Sequence, residues 1–161
     1  MKKYINKDWI LNICFVILVI LIAIITRVYL YQVCVVSGSS MWPTYYNSDR
    51  VLVNKFDKNY KQNDVIVFEH GGYQYIKRIV GLPGDTVKIT DGFVYINDEK
   101  YETLNSELVV WSGTASDGIT LKDDEYFVLG DNYNDSKDSR DSEVGPVNKN
   151  LILGKVVRKL M

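Results

Sequence analysis

The sequence predicts a mainly β fold: one β-barrel domain attached to a single N-terminal transmembrane helix. The first observation is an apolar run, WILNICFVILVILIAII (9–25), in which Asn12 is the only polar side chain. The second is that no helical period follows Leu30. Short segments rich in β-branched and aromatic residues come instead, separated by Gly, Asn and Asp. A chain of 161 residues has room for one membrane segment and one domain of about 100–130 residues.

The apolar run is long enough to cross a bilayer. As a helix, 9–25 covers about 25 Å, and continuing to Leu30 crosses the ~30 Å hydrocarbon core. Lys2, Lys3 and Lys7 precede it, which by the positive-inside rule keeps the N-terminus in the cytoplasm. A cleavable signal peptide is the alternative, but its apolar region is usually only about 7–15 residues. We expect a cytoplasmic N-terminus (1–8), a single-pass signal anchor in the cell membrane (9–30) and an extracytoplasmic β domain (31–161).

The rest of the chain has the pattern of an antiparallel β domain, with short strands separated by turn residues. Such short strands usually avoid open edges by closing or half-closing into a barrel. Long connections are expected near 98–125 and 131–150, where function tends to concentrate. The predicted strands are 50–56, 64–70, 73–80, 85–89, 93–97, 126–130 and 151–160.

Composition excludes some partners. The chain has 19 basic and 20 acidic residues, so it lacks the basic footprint of a nucleic-acid-binding domain. Cys14 lies inside the apolar run and Cys34 just after it, and we expect no disulfide between them. The one histidine, His70, precedes two glycines, which is typical of a solvated hairpin turn rather than a catalytic base.

Two stretches carry candidate chemistry. In SGSSMWPT (37–44), Ser40 is a nucleophile only if a neighbouring base takes its proton; otherwise it is a turn serine. The candidate base is Lys77, which shares one strand face with Tyr75 and Ile79. Such neighbours desolvate the amine and lower its pKa. Taken alone, this segment favours the other interpretation, in which Lys77 extends from a barrel rim into solvent.

Three motifs together resemble bacterial type I signal peptidases of the prokaryotic, Ser/Lys type. SGSSMWPT matches their S-M-x-P-T signature, YIKRIVGLPGD (75–85) their lysine-bearing strand, and GDNYNDSKDSR (130–140) their Gly-Asp-Asn…Ser-x-Asp-Ser-Arg box. About 99–125 is the least matched part. The resemblance implies a signal-peptidase and repressor-protease-like β-barrel. It also implies a serine endopeptidase that removes signal peptides from exported preproteins after small-x-small motifs, with neither cofactor nor metal.

The resemblance also implies residue roles. Ser40 corresponds to the nucleophile and Lys77 to the general base. Met41 and Pro43 hold the nucleophile turn, and the Ser40 backbone N–H donates to the oxyanion. Some members carry, at the position of Gly38, a serine whose hydroxyl is a second donor to the oxyanion. Glycine has no hydroxyl, so the sequence does not identify the second donor.

The same resemblance implies further residues that support Ser40 and Lys77. Ser136 resembles a serine that hydrogen-bonds the lysine amine. Asp138 and Arg140 look like an ion pair that braces its loop, and Arg78 and Asp131 look like a second pair.

An extended substrate is expected to add a strand beside Gly38 and the strand of Tyr75 and Ile76, with Met41 near the pocket. Shallow apolar pockets then accept Ala-sized side chains. Membrane lipid is an expected partner. The aromatic residues after the nucleophile either sit at the lipid interface or pack beneath the turn; they are Trp42, Tyr45 and Tyr46.

Other interpretations stay open at this stage. A self-cleaving repressor domain shares a related core, but it predicts an N-terminal DNA-binding domain and a cytosolic chain. A peptidase dedicated to a few clients such as pilins, or a non-catalytic assembly module, is also compatible with the fold.

Overall fold

A computed structural model describes residues 7–102 and 107–160 of the chain. The expected cytoplasmic N-terminus, with Lys2 and Lys3, therefore lies mostly outside the described residues. Helix α1 spans Lys7–Ile25, has a mean hydropathy of 2.8 in its most apolar window, and buries none of its residues in the protein. By length and composition α1 is able to cross a membrane. A π-helical turn, Thr26–Leu30, follows it.

Within the described residues, the domain after the turn contains eleven strands. All seven predicted strands are present, with ends that differ by one or two residues. The first strand, YQVCV, was not predicted because no Gly, Pro, Asn or Asp separates it from the predicted anchor. The strands are β1 Tyr31–Val35, β2 Arg50–Asn54, β3 Val65–His70, β4 Tyr73–Gly81, β5 Thr86–Thr90, β6 Phe93–Ile96, β7 Glu99–Lys100, β8 Ile119–Thr120, β9 Glu125–Leu129, β10 Val147–Asn148 and β11 Ile152–Leu160.

The strands form two sheets, which confirms the mainly β prediction. The larger sheet has the order β1-β2-β11-β3-β4-β9-β10, and its neighbouring strands are antiparallel. The smaller sheet has the order β7-β6-β5-β8. The segment after β1 contacts the segment after β9, because Asn132 N donates to the Ser40 carbonyl at 3.0 Å. The segments that follow these two strands are thereby joined.

Alternating side chains build the core beneath this junction. On β2, Val51 and Val53 are buried, whereas the residues between and beside them are not. They pack with Val36 and Val67 into an apolar cluster. The strand that carries Lys77 also contributes Ile79 to a second cluster. Rigid valine-lined strands therefore support the segments that carry the candidate site.

Candidate active site

The candidate nucleophile lies on a tight turn just after β1. Gly38 has φ +90°, a left-handed conformation that side chains disfavour, and its N–H donates to Asn47 Oδ1 at 3.0 Å. Trp42 N then donates to the Ser39 carbonyl at 3.0 Å. Met41 is buried beneath the turn, and Pro43 follows a cis peptide bond. The turn leaves Ser40 half-buried.

Lys77 meets Ser40 directly. Its Nζ lies 2.6 Å from Ser40 Oγ. Lys77 sits in the middle of β4, paired with Ile66 of β3, and only 3% of it is exposed. Burial lowers its pKa from 10.5 to about 8, against the opposing charges of Asp138 and Asp131. The desolvation expected from strand alternation is therefore present.

This pKa changes what the amine can do. A lysine at its ordinary pKa is less than about 1% neutral at pH 8, whereas one with a pKa of about 8 is half neutral there. A neutral amine has a lone pair that accepts a proton. A serine hydroxyl at hydrogen-bond distance from such an amine meets the geometric requirement for an activated nucleophile.

Ser136 does not make the hydrogen bond to the lysine that the resemblance implies. Its hydroxyl is buried and has no hydrogen-bond partner among the described residues. It lies against Gly130, where an added Cβ would overlap both the Ser136 hydroxyl oxygen and the Ser40 carbonyl oxygen. Gly130 therefore lets the loop that follows β9 approach the nucleophile turn.

Arg78 and Asp131 form a two-pronged ion pair. Arg78 Nε donates to Asp131 Oδ1 at 2.8 Å, and its terminal nitrogen donates to Oδ2 at 2.7 Å. The Thr44 hydroxyl donates to the same carboxylate at 2.5 Å. Strand β4, the loop after β9 and the nucleophile turn thus share one partly buried charge network.

Asp138 and Arg140 form a second, fully buried pair. Both Arg140 contacts to the carboxylate measure 2.8 Å, and Asp138 also accepts from Gly130 N at 3.0 Å. Arg140 donates further to the Tyr133 carbonyl at 2.6 Å and the Trp111 carbonyl at 3.2 Å. These bonds satisfy charges that would otherwise be costly to bury, and they fix the loop against Ser40.

A cleft of about 510 Å³ runs from the Ser40–Lys77 contact. Its two walls are 34–40 and 73–77, which include Gly38, Tyr75 and Ile76 as predicted for substrate contact. Its floor is apolar and includes Val51 and Val67. Met41, also predicted to contact substrate, is 1% exposed and is not among the residues that line the cleft.

Sequence reasoning missed the charged edge of this cleft. Asp135 and Lys137 line it, and the Ser39 hydroxyl donates to Asp135 in a short hydrogen bond. Neither residue belongs to a hydrophobic pattern, and Ser39 and Asp135 are far apart in sequence, so no local signal pointed to their meeting. His70 pairs with Tyr73 at the β3–β4 hairpin and is not among the cleft residues.

The aromatic residues after the nucleophile differ in exposure. Trp42 and Tyr46 are exposed, whereas Tyr45 packs against the valine cluster. Within residues 7–102 and 107–160, no group of three or more His, Cys, Asp and Glu side chains is placed to hold a metal ion.

Comparisons with known proteins identify the family of the chain. Residues 7–161 match the family described as "Signal peptidase, peptidase S26". The chain is 35% identical to signal peptidase I of Bacillus amyloliquefaciens, an alignment covering 95% of this chain and 86% of that protein. It is also 35% identical to signal peptidase I S of Bacillus subtilis strain 168, covering 86% and 82%. A crystal structure of a signal peptidase I from Enterococcus faecalis V583 has a TM-score of 0.52 at 28% identity, covering 62% of this chain and 97% of that one.

On this mainly β domain, a serine is hydrogen-bonded to a buried lysine, which is the arrangement that a Ser/Lys peptidase requires. The chain belongs to the signal peptidase family, peptidase family S26. It is an enzyme of the signal peptidase I kind.

Proposed function

We propose that this enzyme is a membrane-anchored serine endopeptidase that removes N-terminal signal peptides from exported preproteins with a Ser40–Lys77 dyad. The observation that carries the proposal is the 2.6 Å contact between Ser40 Oγ and a lysine whose pKa is lowered to about 8.

The proposed reaction has two halves. Neutral Lys77 takes the proton of Ser40 as its Oγ attacks the scissile carbonyl carbon, and a tetrahedral oxyanion forms. The ammonium then gives that proton to the leaving amine, which departs as the mature N-terminus, and an ester to Ser40 remains. A water, deprotonated by Lys77, hydrolyses the ester and frees the signal peptide. No metal or cofactor enters either half.

The oxyanion needs hydrogen-bond donors on the nucleophile turn. We assign one to the backbone N–H of Ser40. Gly38 has no side chain to donate, and its own N–H is directed at Asn47. The Ser39 hydroxyl donates to Asp135. The second donor is therefore another backbone N–H or a water, rather than a side chain of these two residues.

The cleft supports cleavage after small-x-small motifs. Its two walls both end at the dyad, so an extended peptide between them adds main-chain hydrogen bonds and presents alternate side chains to the floor. That floor is formed by buried valines packed in a tight cluster. Alanine-sized side chains fit shallow pockets of this kind, and larger ones are excluded sterically.

The anchor supports membrane attachment with the catalytic domain outside the cytoplasm. Helix α1 has 19 residues, and its exposed apolar surface suits lipid. Exposed Trp42 and Tyr46 follow Ser40 within six residues, and exposed aromatic side chains of this kind favour the lipid interface. Protease added outside intact cells should cut a site inserted in the β domain but not a tag at the N-terminus; the reverse pattern contradicts this orientation.

The proposal is tested by cleavage of a preprotein with an Ala-x-Ala site by the full-length enzyme in neutral detergent. We expect one cut directly after the motif, located by the N-terminal sequence of the product. Leucine in place of either alanine should reduce kcat/KM by at least tenfold, and Ser40→Ala should abolish cleavage. Cleavage elsewhere, or cleavage by Ser40→Ala, contradicts the proposal.

A further inference from the structure

The charged edge of the cleft is not used by the proposed reaction. Apart from Lys77, the charged residues that line the cleft in the described part of the chain are Asp135 and Lys137. Both are exposed, whereas the valines of the floor are buried. The edge is therefore the solvent-exposed side of the cleft, and the floor is its buried side.

The edge is close to both walls of the cleft. Asp135 accepts a hydrogen bond from Ser39 on the first wall. The ammonium of Lys137 lies within electrostatic range of Tyr75 on the second wall. The short segment 135–137 therefore lies near both walls, and it contacts the first wall at Ser39, the residue before the nucleophile.

The charge at this edge is negative. Lys137 is paired with Glu143 and also lies 4.0 Å from Asp141. Two carboxylates thus more than compensate its positive charge. The hydrogen-bond partner of Asp135 is a neutral hydroxyl, which leaves the carboxylate charge uncancelled.

We infer that Asp135 selects the middle residue of the small-x-small motif, and that this enzyme prefers Lys or Arg there over Asp or Glu. The inference rests on the proposed function. In an extended peptide, side chains alternate between two sides. When the first and third motif residues face the valine floor, the middle residue faces the edge that carries Asp135. A cation is attracted there and a carboxylate is repelled.

The magnitude follows from the exposure of the edge. Exposed charge pairs contribute modestly, so attraction of lysine and repulsion of glutamate together give a ratio of kcat/KM of about fivefold. The effect should weaken as salt rises, because the Debye length falls to about 3 Å at 1 M ionic strength.

The experiment uses three preproteins that differ only in the middle residue: Ala-Lys-Ala, Ala-Gln-Ala and Ala-Glu-Ala. They compete in one tube with the full-length enzyme in neutral detergent. We expect the order Lys, Gln, Glu, with a Lys/Glu ratio of about five at low salt that approaches one at 1 M NaCl. Asp135→Asn should bring the low-salt ratio close to one, and Asp135→Lys should invert it. The matched control, Asp123→Asn, removes an exposed carboxylate that does not line the cleft and should keep the wild-type ratio.

Each ratio is measured within one enzyme, so a general loss of activity in an Asp135 variant does not affect it. The wild-type ratio and its salt dependence need no variant at all. A wild-type ratio of one, or a ratio unchanged by Asp135→Asn, overturns the inference while leaving Ala-Gln-Ala cleavage, and hence the proposed function, intact. Failure to cut any of the three preproteins overturns both.

Discussion

Lys77→Met should stabilise the folded domain while it abolishes activity. The wild-type fold holds an amine that is 3% exposed and whose pKa is lowered from 10.5 to about 8. Methionine has a similar length and no charge to desolvate. Ser40 is half-buried, so its hydroxyl can be solvated when the amine is removed.

The size of the effect follows from the two pKa values. Each pKa unit corresponds to about 1.4 kcal/mol, so the change from 10.5 to about 8 costs about 3 kcal/mol of folding free energy when the amine is protonated. Because the folded pKa is the lower one, the unfolded chain binds more protons between about pH 8 and 10.5. Wild-type stability therefore rises with pH across that window, and the cost is complete below it.

The assay is urea unfolding of full-length wild type and Lys77→Met in neutral detergent, followed by tryptophan fluorescence. At pH 7 the variant should be more stable by about 3 kcal/mol, and by pH 10.5 the difference should shrink below about 1 kcal/mol. Other groups titrate equally in both proteins and cancel in the difference. A variant that is no more stable at pH 7, or a difference that does not change with pH, refutes the reasoning.

Three further predictions concern the dyad and its support. The acidic limb of the kcat/KM profile for Ala-x-Ala cleavage, measured from pH 6 to 10, should have its midpoint at about 8; a flat profile would count against the lysine base. Gly130→Ala should lower kcat at least tenfold, because its Cβ overlaps the Ser40 carbonyl oxygen; an unchanged kcat would show that the loop can move away. Asp138→Asn should lower the free energy of urea unfolding by about 3–5 kcal/mol, because Arg140 keeps a buried, poorly compensated charge; a change below about 1 kcal/mol would contradict this.

Much of the fold could be predicted because its strands obey a simple pattern. Each predicted strand alternates or runs apolar between turn residues, and that pattern survives in strands such as β2 and β4. Strand β1 was not predicted because it follows the apolar anchor directly, with no turn residue between them. The two-residue strands β7, β8 and β10 are too short to show any period. Their pairing depends on tertiary contacts that a local pattern does not contain.

The two central residues of the site could be predicted from the sequence, but the loop contacts around them could not. Ser40 and Lys77 are brought together from recognisable motifs, and strand alternation indicated a desolvated lysine only in combination with those motifs. The motif identified Ser136, but it does not determine the side-chain position that leaves the hydroxyl without a partner among the described residues. The contact between Ser39 and Asp135 depends on how two loops meet in space. Sequence motifs do not predict loop–loop contacts of this kind.

The central claim is that Lys77 is the base for Ser40, and the most direct test is kcat/KM of Lys77→Ala at pH 8 beside Ser40→Ala on one Ala-x-Ala preprotein. Both variants must first show the cooperative unfolding of the wild type. The account predicts that both fall to the same background, because each removes one half of a 2.6 Å contact. Lys77→Ala that keeps a tenth or more of the wild-type kcat/KM, while Ser40→Ala has none, would contradict it.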